Sequence, residues 1–153
     1  MRPGGFSQSG FLGVAERLDD VVACDALTVA KLGLTHERIA AELESIIDTA
    51  VRGQGRKVRV GRHFEARIDQ FTGFQICPWA PDPHHAQCQA GGGVRHASLN
   101  WEIRNRLTGQ AMRGPGLIIH LIRAHRFFEG IESPSRVDPG DLVRLLNLQP
   151  TNG

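Results

Sequence analysis

The chain has 153 residues, with 18 Lys and Arg against 16 Asp and Glu (net charge +2), seven His, three Cys and no Tyr. That length suits one domain and is too short for two full cores, and 41% hydrophobic with 22% charged residues excludes wholesale disorder. A charge of +2 is too small to argue for nucleic acid, and an odd cysteine count excludes a complete disulfide framework.

Charge is unevenly placed. Residues 1–50 carry four basic and eight acidic groups, and residues 51–75 carry six basic and two acidic, giving an acidic front and a basic middle. The Gly/Ser-rich opening, residues 1–13, predicts a flexible arm ahead of a single domain over 14–150. It contains no sustained apolar stretch of the kind a signal peptide needs, and no stretch elsewhere approaches the ~20 residues of a membrane span. These features predict a cytoplasmic protein with reduced thiols and no membrane contact, where spaced cysteines are expected to hold metal.

From Val14 the pattern is helical, with Val14, Leu18, Val21, Val22 and Leu27 recurring at spacings of three to five for most steps. Gly33 breaks this run. Thr35 then stands as an N-cap before a second helix, with Ile39, Leu43, Ile46 and Ile47 on one face, and Gly53 and Gly55 close the helical part at about residue 52. Over 56–113 the period changes to two. Val58 and Val60, then Phe64, Ala66 and Ile68, then Phe74 and Ile76, alternate with polar residues, and Thr72-Gly73 offers a turn. Leu99, Trp101 and Ile103 share the face of another strand, and Leu107-Thr108-Gly109-Gln110 turns the chain into a short strand at 111–113.

Between these strand units lies a loop, 78–96, with three Pro and three consecutive Gly. A loop this long in so small a domain is usually functional or pinned by something. Gly114-Pro115 is expected to open a buried helix running through Leu117–Phe128 to Gly130, and Asp138-Pro139 to start a last short helix ending near 148. Two helices, a β meander and two helices predict an α+β fold with an antiparallel sheet.

The candidate chemistry is a zinc (Zn2+) site of zinc-finger-like plan, with Cys77 and Cys88 as thiolates and His120 and His125 as neutral imidazoles. His120 and His125 fall within the H-x3–5-H spacing of zinc-binding helices, although positions five apart on an ideal helix point about 140° apart. The ten residues between Cys77 and Cys88 exceed the common knuckle, and His84 and His85 lie among them, so either is an alternate ligand. A closed site would be structural. Three ligands with an open position would make a zinc enzyme, with Asp82 or Glu129 as base. The absence of a general base within the Cys/His set favours the structural site and a non-enzymatic role.

Other patterns carry less. Residues 27–47 have the outline of a helix-turn-helix, but the second helix is mainly acidic and would repel phosphate. The basic stretch 52–67 lacks the aromatic interleaving of an RNA-binding sheet and reads as a solvated strand face, or as one that the acidic helices cover. Cys24 is expected in the core, and Arg136 is expected to pair with Glu129 or Glu132.

In the C-terminal third, His120-Leu121-Ile122 and His125 are followed by Phe127-Phe128-Glu129-Gly130 and by Pro134, Arg136 and Asp138-Pro139. This stretch resembles a family of small bacterial proteins that carry no assigned activity. The resemblance covers about a quarter of the chain, and it implies an accessory role in metalloenzyme assembly of the hydrogenase type. The partner expected on these grounds is another protein.

Overall fold

A computed structural model describes residues 11–13, 15–73, 75–79 and 96–151. In chain order the elements are α1 (Leu18–Lys31), α2 (His36–Val51), β1 (Val58–Val60), β2 (Phe64–Gln70), β3 (Leu99–Asn105), β4 (Ala111–Pro115), α3 (Ile118–His125) and α4 (Pro139–Leu146). The four strands form one antiparallel meander in the order β1-β2-β3-β4. The fold is therefore α+β.

The period-two pattern sets the faces of the sheet. Ala66 pairs with Ile103 and Ile68 with Trp101, and all four are buried under α2 and α4. The opposite face carries Glu65, Arg67, Glu102, Arg104 and Arg113, with Arg67 paired to Glu102 and Arg106 to Glu65. The acids of α2 do not cover this face. Glu37 and Glu44 both bind Arg123, which ties α2 to α3.

Thr35 caps α2 as expected, its side chain accepting from the Arg38 amide at 3.1 Å. The turn before it needs a left-handed residue, and Gly33 supplies φ +70°. Along α2, Ile39, Leu43, Ile46 and Ile47 are buried together with Ala40 and Ala50. On α1 the buried stripe is Val21, Asp25 and Val29, whereas Leu27, expected on the apolar face, is 63% exposed. Cys24, expected in the core, is exposed as well. The stripe turns on Asp25 because that carboxylate meets Arg136 through hydrogen bonds of 2.8 and 2.9 Å. Arg136 thus pairs with Asp25, and it reaches Glu129 only through its backbone carbonyl, at 2.7 Å.

Three boundaries differ from the sequence pattern. Around Ile76 the described residues 75–77 are not a strand. The Gln75 amide donates to the Ala97 carbonyl and its side chain accepts from the Leu117 amide, so this segment bridges the turn before β3 to the start of α3. Pro115 ends β4 and does not begin α3, because it pairs with Asn100, its carbonyl accepts from the Trp101 indole, and the next amide donates to Leu99. Finally, α3 stops at His125. Arg126 is left-handed (φ +55°), and the Phe127 amide donates back to the Leu121 carbonyl, a Schellman-type close. Phe127 and Phe128 turn into the core beyond the helix. At the other end of the chain, Phe11 and Leu12, placed by composition in the arm, are buried, and the Phe11 carbonyl accepts from the Gly130 amide.

Asp138 caps α4 as expected, accepting from the Asp141 amide at 3.0 Å, with Pro139 in the first turn.

Candidate metal centre

Cys77 lies where the bridging segment crosses α3. Its side chain is buried, and its position is fixed by the hydrogen bonds of Gln75 two residues earlier. His120 is the third residue of α3 and His125 its last. The helix is held against α2 by Arg123, which faces Glu37 and Glu44, so both histidines ride on an anchored element.

One ligand atom from each of Cys77, His120 and His125 lies within 4.8 Å of the other two. Cys77 Sγ is 3.4 Å from His125 Nε2, and the two imidazole centroids are 5.1 Å apart at 78°. The five-residue spacing, about 140° on an ideal helix, does not keep the rings apart. His125 ends the helix, and the left-handed Arg126 turns the chain away, so no further helical turn stands beside its ring.

The electrostatics favour ligand-competent imidazoles. Burial holds the His125 pKa down at about 4, with the neighbouring His120 adding to the effect. Burial also lowers His120, assisted by the Arg123 guanidinium. Both rings are therefore neutral at pH 7, and a neutral imidazole keeps a lone pair for a metal.

This trio can hold a metal ion. In a tetrahedral zinc site, sulfur and nitrogen ligands are separated by about 3.6 Å and two nitrogens by about 3.4 Å, given Zn–S near 2.3 Å and Zn–N near 2.0–2.1 Å. The 3.4 Å between Cys77 and His125 is close to such an edge. Cys88, His84, His85 and Asp82 lie outside the described residues. Glu129, the other acid considered as a base, belongs elsewhere. It is 2% exposed, accepts from the Ser133 hydroxyl at 2.8 Å, and sits with Arg136 and Asp25. Burial pushes its pKa up to about 7.

Two features have little sequence signal. Trp79 stacks on His125 with centroids 3.9 Å apart and planes 5° apart, and it also meets Phe127 edge-on. Its one hint was position, two residues after Cys77. His96 Nε2 lies 2.7 Å from Asp48 on α2, a pairing that no spacing rule announces. That pair borders a cavity of about 630 Å³, also lined by Arg52, Gln70 and Ser98 and by none of the three clustered donors.

No family model, curated protein or solved structure matches this chain. Among the described residues, no helix is long and apolar enough to cross a membrane.

Proposed function

We propose that the chain is a zinc-binding accessory protein, using Cys77, His120 and His125 as three ligands and, as the fourth, one residue from the sequence 80–95, which lies outside the described residues. Cys88 is the first choice for that position, with His85 and His84 as alternates. The observation that carries this reading is the convergence of one thiol and two imidazoles within 4.8 Å. Soft sulfur together with neutral nitrogen is the donor set that zinc prefers over magnesium or calcium. The ion would serve structurally, pinning the loop to α3 and presenting a fixed surface to a protein partner.

Each donor has a defined part. Cys77 gives up its proton on binding, and the thiolate supplies the negative charge of the site. His120 and His125 enter already neutral, so no further proton release is needed from them.

X-ray absorption at the zinc edge of the purified protein tests the ligand count. The expected result is four protein ligands with two sulfurs, or with one sulfur if a loop histidine completes the set. Three protein ligands and a water would replace the structural role with a catalytic one.

A further inference from the structure

The geometry points to Trp79 as a positioning residue that clamps the His125 imidazole for metal binding and stabilises the loaded ring more than the empty one; this rests on the metal reading above. Trp79 is brought to the site by the same segment that delivers Cys77, two residues earlier in the chain. Its indole lies almost parallel to the imidazole, 5° between planes and 3.9 Å between centroids. Phe127 meets Trp79 edge-on, at 5.7 Å and 77°, and Phe127 is fully buried. The indole is thus braced by the core on one side and applied to the ligand on the other.

This arrangement acts on two quantities. The first is conformational. His125 is the terminal residue of α3, where a side chain has no following helical turn to limit it. The stack fixes the ring plane with Nε2 3.4 Å from Cys77 Sγ, so the freedom lost on binding metal is already surrendered in the empty protein. The second is electronic. A coordinated imidazole loses electron density to the ion and becomes partly cationic. The indole face is the electron-rich side of its quadrupole, so stacking strengthens when the metal is present. Interactions stronger in the bound state than in the free state raise affinity.

Trp79 also supplies a readout. The chain has two tryptophans, and the other, Trp101, is buried in the sheet with its indole donating to the Pro115 carbonyl. Zinc binding should therefore alter the emission of Trp79 and leave that of Trp101 unchanged.

The test is zinc titration of the full chain against a chromophoric chelator, for wild type, Trp79→Phe and Trp79→Leu. We expect affinity to fall about tenfold in Trp79→Leu and no more than about threefold in Trp79→Phe, which keeps an aromatic face. Wild-type affinity in Trp79→Leu overturns the clamp while leaving the metal site standing. A wild-type protein that takes up no zinc overturns both. Tryptophan emission gives a second decision that does not depend on the folding of Trp79→Leu. The zinc-dependent change should saturate at one ion per chain in wild type and vanish in Trp79→Phe, and its persistence in Trp79→Phe contradicts the assignment.

Discussion

Two polar clusters of the molecule differ in the kind of groups they bring together. In one, Asp25, Arg136, Glu129 and Ser133 answer each other, with Arg136 binding Asp25 twice and the Glu129 carbonyl once, while Ser133 donates to the Glu129 carboxyl. Opposite charges and matched donors and acceptors make it a lock between α1 and the segment before α4. In the other, a thiol and two imidazoles held neutral converge with an indole beside them. Cys77 Sγ lies within hydrogen-bonding reach of His125 Nε2, at 3.4 Å, and the same three donor atoms, within 4.8 Å of one another, are also placed to meet a single cation. Charge pairing holds the first cluster together, and soft donors within 4.8 Å of one another make the second the candidate metal centre.

The comparison breaks most sharply at Arg136. Arg136→Ala leaves the Asp25 carboxylate, 6% exposed, without its cation. We expect a loss of about 3–5 kcal/mol in denaturant unfolding, with zinc content per folded chain unchanged. A change below about 1 kcal/mol would mean that the lock is ornamental.

Glu129 gives the next largest effect, as a pH dependence. Its folded pKa, about 7, is raised above the ordinary carboxyl value of 4.5. Between these values the native state binds more protons than the unfolded chain, so stability is highest below pH 4.5 as far as this group is concerned. It falls as pH rises to 7, by about 3 kcal/mol in all. Glu129→Gln keeps an acceptor for Ser133, and it should remove this slope and be more stable than wild type at pH 8. Parallel pH–stability curves for the two proteins would refute the assignment.

A smaller change separates general stability from either cluster. Thr35→Ala removes the cap of α2 and should cost about 1 kcal/mol, with the metal site and the pH slope both intact. Loss of zinc in this variant would show that the site follows global stability and is not an independent unit.

Much of the fold was legible because it depends on local chemistry. Thr35 and Asp138 announce their helices by capping, Gly33 and Gly109 announce turns through their φ values of +70° and +78°, and strict alternation fixes which side of β2 and β3 is buried. The boundaries that moved were decided by distant partners. Pro115 looks like a helix opener until Asn100 and Trp101 draw it into the sheet. Phe127 and Phe128 continue an apolar helical pattern, but the left-handed Arg126 ends the helix before them. Asp25 and Arg136 are 111 residues apart, and no periodicity links them, so an acid on the buried stripe of α1 could not be foreseen.

At the candidate site the residue types were readable and the geometry was not. Cys77, His120 and His125 stand out as soft donors in a chain expected to keep its thiols reduced. Their convergence depends on where α3 stops, which is a tertiary matter. Trp79 carries only the hint of its position two residues after Cys77, because stacking follows no sequence spacing.

Elemental analysis of the purified wild-type chain beside Cys77→Ser is the most direct measurement. The account predicts one zinc per wild-type chain and none in Cys77→Ser, with the melting transition of wild type lowered by chelator and that of the variant insensitive to it. A wild-type protein free of metal whose melting ignores both zinc and chelator would contradict it.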